Sequence, residues 1–384
     1  MGKKYSSIIT MVGMLLFQVG LLSCGSSTTE IAIVSNDEEK ENPDIEPIAE
    51  TFSGTIRDIS SSELVAEMGI GWNLGNSFDV ISKDKTDWGN PLPNGNIIKT
   101  VHEIGFKTLR VPITWRFNQE DIAPYIIEEA YLNRVQQVVN YGLKNKMHVI
   151  INVHHDEEWA KPTFDNEEMA KERLRSLWTQ VAEKFKPYGD SLVFEILNEP
   201  RLIGSDNEWS GGTQEGRQVL NALNKTGVDA IRSTGGNNEK RHLMIPTYAA
   251  STLLIAMDDL VIPNDDANII ISLHSYFPWS FAGLAQDRWG SDSDKTQLRQ
   301  EFDRIRDKWM VQEQRAVILG EWGSIVDNAK DDRLDYAGFY VKEATSRGLL
   351  TIVWDDGGNF QLLDRNSLTW VHGEIAEMII QSAK

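Results

Sequence analysis

Eight short apolar runs, each followed by a longer amphipathic stretch, constrain this chain more than any other feature. The runs are "GIGWNLGN" (69–76), "TLRVPIT" (108–114), "HVIINVHH" (148–155), "LVFEILNEP" (192–200), "HLMIPTY" (242–248), "IIISLHSY" (269–276), "AVILGEWG" (316–323) and "LLTIVWDDG" (349–357). Their near-continuous apolar character suits strands buried on both faces. Stretches such as "YLNRVQQVVNYGLKN" (131–145) and "EEMAKERLRSLWTQVAEKFK" (167–186) place apolar residues three and four apart, with charges between. Alternation repeated eight times predicts an α/β chain folded as a (β/α)8 (TIM) barrel over residues 56–384. An open doubly wound sheet competes with it, but no Gly-rich phosphate-binding turn follows the first run.

In such a barrel the C-terminal ends of the strands surround the functional site. Reading those ends gives Asn73 and Asn76 on the first strand and Arg110 within the second. His154 and His155 end the third, Asn198 and Glu199 the fourth, and His274 and Tyr276 the sixth. Glu321 stands on the seventh and Trp354 on the eighth; the fifth, ending in Thr247-Tyr248, says least. Pro200 cannot donate to a ladder, so it is expected to end the fourth strand and fix Glu199 at its tip. As strand neighbours, His154 and His155 are expected to point to opposite faces, with only one of them entering the barrel.

Two glutamates with no serine or cysteine nucleophile motif point to carboxylate chemistry. Breaking a glycosidic bond needs one carboxylic acid to protonate the leaving oxygen and a second carboxylate to attack the sugar or activate water. Arg110 suits the task of holding a carboxylate ionised. Asn198, the histidines and Tyr276 suit hydrogen bonds to sugar or carboxylate, and Trp354 offers a flat face to a pyranose ring. Trp88, Trp159, Trp209, Trp279 and Trp289 fall in loop segments and are expected to extend that platform, whereas Trp178 and Trp309 lie in helical patterns and read as core. Asn73 is either a turn residue or a weaker substrate contact, and His155 either braces a loop or touches substrate. No ligand cluster has metal spacing, so neither metal nor other cofactor is expected. A metal-dependent amidohydrolase would want a His-x-His pair after the first strand, where this chain has "WNLGN". A non-catalytic glycan-binding protein would not need two glutamates beside an arginine.

"GWNLGNSFD" (71–79), "LRVPITW" (109–115), "INVHHD" (151–156), "LNEPR" (197–201), "HSY" (274–276), "GEWG" (320–323) and "WDDGGN" (354–359), taken in order, resemble glycoside hydrolase family 5. Within it they look most like the endoglucanases and xyloglucanases that carry "GWNLGN" and "NEPR". The resemblance implies a retaining endo-acting enzyme on β-1,4-glucan, with Glu199 matching the acid/base and Glu321 the nucleophile. Arg110, His154, Asn198, His274, Tyr276 and Trp354 match the other active-site positions. A β-mannanase of the same fold is the alternative. The sequence departs from its relatives at Asp356, where Asn is usual.

The N-terminus reads as targeting rather than fold. Lys3 and Lys4 precede an apolar stretch that ends in "LLSC" (21–24), which resembles the lipobox of bacterial lipoproteins. That resemblance implies cleavage of residues 1–23, lipid on Cys24 and an anchored position in a bacterial envelope. Cys24 is the chain's one cysteine, so no internal disulfide is available. Residues 24–55 are polar and acidic and read as a tether. A formal charge of −19 excludes nucleic acid as a natural partner and leaves the lipid as the expected membrane contact. A β-glucan chain is the expected partner, and the protein is expected to act as a monomer.

Overall fold

The computed structural model describes residues 52–384. The expected signal segment, Cys24 and all but the last residues of the expected tether lie outside the described residues. Eight parallel strands close into a barrel in chain order, β1 pairing with both β2 and β8. They are β1 (Gly71–Asn73), β2 (Thr108–Val111), β3 (His148–Asn152), β4 (Leu192–Glu195), β5 (Leu243–Pro246), β6 (Ile269–His274), β7 (Val317–Trp322) and β8 (Leu350–Val353). The helices are α1 (Ser61–Met68), α2 (Gly95–Ile104), α3 (Glu129–Lys144), α4 (Phe164–Phe185), α5 (Gln214–Ser233), α6 (Leu254–Asp258), α7 (Trp279–Ala282), α8 (Asp292–Ile305), α9 (Lys330–Thr345) and α10 (Gly373–Ser382). The (β/α)8 expectation holds.

Side chains alternate along each strand, so every second residue enters the barrel. Ile150, Val193, Met244, Ile270, Ile318 and Ile352 form an apolar floor, closed from below by Leu64, Val65 and Met68 of α1. Helix α1 is held by a capping box in which Ser60 and Glu63 satisfy each other's backbone N–H groups. Two residues further along the strands the interior turns polar, with Asn152 above Ile150, Glu195 above Val193 and Ser272 above Ile270. The larger apolar core lies between strands and helices and includes Trp178 and Trp309, as expected.

The strands are shorter than the runs that announce them. Strand β3 stops at Asn152, so His154 and His155 belong to the following loop. Strand β4 stops at Glu195, and Pro200 therefore does not terminate it. The chain stays tied to its neighbours beyond that point: Ile196 N–H donates to Met244 O at 2.9 Å and Asn198 N–H to Val153 O at 2.9 Å. Residues 52–54 pack on the barrel, Phe52 against the outer core and Gly54 N–H on Pro187 O at 3.0 Å.

Candidate active site

Arg110 organises the mouth of the barrel. Its guanidinium is fully buried and donates from Nε to Glu195 Oε2 at 2.8 Å, from Nη1 to Asn73 Oδ1 at 2.9 Å and to Glu321 Oε1 at 2.8 Å, and from Nη2 to Asn198 Oδ1 at 2.7 Å. Burial alone would weaken its charge, but Glu195 and Glu321 outweigh that and hold it more firmly protonated. Residue 320 is glycine because a Cβ there would sit 3.0 Å from His274 Nε2, beside Arg110.

Glu321 is gripped on both oxygens, Oε1 by Arg110 and Oε2 by the Tyr276 hydroxyl at 3.1 Å. Burial, then the charges of Glu321 and Glu199, push the Tyr276 phenol far up, so it stays a donor. Across the mouth, Glu199 Oε1 lies 2.7 Å from His274 Nδ1, whose other close neighbour is Glu321 Oε2 at 3.7 Å. Burial raises the Glu199 carboxyl, but the hydrogen bond and charge of His274, with Arg201 and His155, win and bring it down. Burial lowers His274, and the two glutamates reverse the sign and raise it. Glu199 and His274 thus form a largely buried, hydrogen-bonded pair whose protonation states depend on each other. One carboxylate oxygen of Glu199 and one of Glu321 lie within 4.8 Å of each other.

His154 stays neutral, because burial and then the nearby cationic groups press its pKa far down. Its ring lies parallel to that of Trp354, centroids 5.9 Å apart. Trp354 reaches its place because residue 75 is glycine: a Cβ there would come within 2.7 Å of the indole. Arg110, His154, Asn198, Glu199, His274, Tyr276, Glu321 and Trp354 therefore come together as the sequence reading expects.

Other expectations are corrected. Asn73 is wholly buried and spent inside the barrel, donating to Gly320 O at 2.9 Å and accepting from Arg110, so it has nothing to offer a substrate. His154 and His155 do not diverge, because the loop lacks strand alternation; their rings meet edge to face at 4.4 Å. His155 Nδ1 lies 3.4 Å from Glu157 Oε1 and its ring 6.0 Å from Trp88, so it borders the cleft. Trp159 and Trp289 are buried, their Nε1 atoms donating to Asp156 and Asp335 at 3.0 Å, and are not platforms. Trp88, Trp209 and Trp279 remain 39%, 61% and 54% exposed. Asp356 Oδ1 accepts from Gly358 N–H at 2.7 Å and Phe360 N–H at 2.9 Å, an acceptor task that an asparagine oxygen performs as well.

Sequence reasoning missed Glu195, Asn152 and Ser272. Glu195 accepts from Arg110, from Asn152 Nδ2 at 3.0 Å and from Ser272 Oγ at 2.5 Å. A carboxylate inside "LVFEIL", in step with inward-facing Val193, was the available signal. Two groups among the described residues have metal-ligand types close together: Asp79 with His154 and His155, and Glu199 with His274 and Glu321. In the first, Asp79 already accepts Asn76 N–H at 2.9 Å and Ser77 N–H at 2.7 Å. In the second, Arg110 already supplies the positive charge that a cation would bring.

The model of the cellulases of glycosyl hydrolase family 5 matches residues 74–359, a span that holds Arg110, His154, Asn198, Glu199, His274, Tyr276, Glu321 and Trp354. The chain belongs to glycosyl hydrolase family 5. Endoglucanase B of Clostridium cellulovorans is 43% identical over 348 residues, covering 88% of this chain and 79% of that protein. The structure of ZgEngAGH5_4 in complex with a cellotriose superposes with a TM-score of 0.84 at 48% identity, over 85% of this chain and all of that one. A broad specificity endoglucanase from Clostridium acetobutylicum gives a TM-score of 0.81 at 44% identity, over 84% and 100% of the two chains. The chain is thus a glycoside hydrolase on a (β/α)8 barrel.

Proposed function

We propose that this family 5 hydrolase is a retaining endo-β-1,4-glucanase working by double displacement, with Glu199 as acid/base and Glu321 as nucleophile. The supporting observation is the short gap between the two carboxylates, whose nearest oxygens lie within 4.8 Å. Retaining glycosidases hold the pair about 5–5.5 Å apart, whereas inverting ones need about 6.5–9.5 Å to fit a water. Glu321 attacks the anomeric carbon while Glu199 protonates the leaving oxygen, giving a glycosyl ester on Glu321 and a free reducing-end fragment. Glu199, now ionised, takes a proton from an incoming water, whose oxygen displaces Glu321 and restores both groups.

Environment divides the labour. Arg110 and Tyr276 both hydrogen-bond the ionised form of Glu321, which suits a nucleophile. Glu199 lies within hydrogen-bond distance of His274, which suits a group that must give and take a proton. Asn198, fixed by Arg110, is the partner for a sugar hydroxyl beside the reacting carbon, and Trp354 with His154 borders the pyranose.

Relatives named endoglucanase, and a neighbour holding cellotriose, support a β-1,4-glucan substrate. Xyloglucan and mixed-linkage glucan are the close alternatives, since a neighbour at 44% identity is a broad specificity endoglucanase. Purified enzyme assayed on soluble cellulose derivative, mixed-linkage glucan, xyloglucan and mannan should release oligosaccharides from the glucans, and Glu321→Gln should abolish all release. Preferential cleavage of mannan would overturn the substrate reading. The lipobox likeness supports an anchor at Cys24; Cys24→Ser should free active enzyme from membranes, and unchanged partitioning would refute it.

A further inference from the structure

Beyond its charge, which helps to lower the Glu199 carboxyl, Arg201 has a side chain mostly buried at the edge of the cleft and surrounded by three carboxylates. Nη1 donates to the backbone oxygen of Glu199 at 2.9 Å and lies 3.5 Å from Glu199 Oε2. The same nitrogen is 3.3 Å from Glu157 Oε1, while Nε donates to Glu208 Oε1 at 3.1 Å. The guanidinium lies 4.5 Å over the Trp209 ring. We propose that Arg201 is a positioning residue for bond cleavage: it clamps Glu199 through its backbone and its second oxygen, and is itself held between Glu157, Glu208 and Trp209. The inference rests on Glu199 being the acid/base.

The clamp links a chain of ionisable groups across the mouth. His155 faces Glu157 at 3.4 Å, Glu157 faces Arg201, Arg201 faces Glu199, and Glu199 faces His274 at 2.7 Å. His274 then faces Glu321, which faces Arg110. Glu199 accordingly has a cationic partner for each oxygen, His274 on Oε1 from β6 and Arg201 on Oε2 from its own loop. Removing a cation makes the Glu199–His274 pair hold its proton to higher pH. Arg201 also joins Glu199 to residues 202–213, because Glu208 and Trp209 lie in that loop.

The test is the pH dependence of kcat/KM on an aryl cellobioside with a poor leaving group. In Arg201→Met the alkaline limb should move up by about one pH unit, the low end for a cation within ~4–6 Å because these groups are partly solvated. Arg201→Lys keeps the charge and should keep the limb near wild type. Glu208→Gln removes a competing carboxylate from Arg201 and should move the limb the other way, which gives a reading even if Arg201→Met folds poorly. A glycoside whose leaving group needs no protonation should show none of these shifts. Unmoved limbs in both Arg201→Met and Glu208→Gln, with only a lowered Tm or kcat, would reduce Arg201 to a structural role. Failure of the underlying assignment has a different signature: Glu199→Ala would then show no dependence on leaving group.

Discussion

Arg110 Nε donates to Glu195 Oε2 across 2.8 Å, and neither side chain reaches solvent. Arg110 pairs with Glu321 as well, so the buried guanidinium has a second carboxylate besides the proposed nucleophile. In the proposed double displacement Glu321 loses its negative charge as it becomes an ester, and Glu195 would remain to keep Arg110 charged and in place. A buried cation left without any partner would cost several kcal/mol.

Glu195→Gln keeps the shape and removes the charge. It should lower stability by about 3–5 kcal/mol, the usual cost of breaking a buried pair, measured by urea denaturation. Its kcat should fall as well, since Arg110 is then drawn toward Glu321 alone.

Arg110→Lys should not be conservative. One ammonium cannot reach Glu195, Asn73, Glu321 and Asn198 with the planar fork that the guanidinium uses. The expected loss is on the order of 10²-fold, mainly in kcat, as for removal of a fixed donor from a reacting centre. Near-normal kcat in a folded variant would confine Arg110 to holding the barrel together.

The tryptophans separate into two classes that a mutation series can distinguish. Trp279→Ala, at an exposed ring, should raise KM on long glucans and leave Tm almost unchanged. Trp289→Ala removes a ring packed on Phe281 and Tyr336 and should cost about 3–5 kcal/mol of stability.

These two classes mark the limit of what the sequence reveals. Apolar runs and helical spacing disclose the barrel, because strands buried on both faces leave a composition that loops do not mimic. The ring of site residues follows from chain order, since barrel topology brings strand ends together. Burial within loops leaves no such trace: Trp159 and Trp209 lie in similar polar surroundings in the chain, and only tertiary packing covers one of them. Alternation also fails once a strand ends, which is why the His154–His155 contact and the short β4 escape the pattern, while Glu195 hides inside an apolar run.

His274 should govern the alkaline limb of the pH profile. Its pKa is raised, so its protonated form, and the stability of its contact with Glu199, are fully present below about 6.5 and are lost as pH rises through the folded value. Glu199 is lowered, so its share is present above the ordinary carboxyl range and lost as pH falls through its folded value. Between those limits the pair holds the one proton that cleavage needs. In His274→Asn the limb should fall toward a single carboxyl ionisation; an unchanged limb would show that the pair does not carry the proton.

Prolonged dialysis against a strong chelator should leave hydrolysis intact. Asp79 is committed to backbone N–H groups, and Glu321 to Arg110 and Tyr276. Activity lost to the chelator and restored specifically by one divalent ion would contradict this.

The central claim, that Glu321 attacks the sugar while Glu199 handles the proton, is tested most directly by the configuration of the first product. Proton NMR during the first minutes of hydrolysis of a β-glucan oligosaccharide should show the β-anomer of the new reducing end, with the α-anomer growing later by mutarotation. Initial appearance of the α-anomer would mean that water, not Glu321, attacks the anomeric carbon, and the double-displacement account would fall.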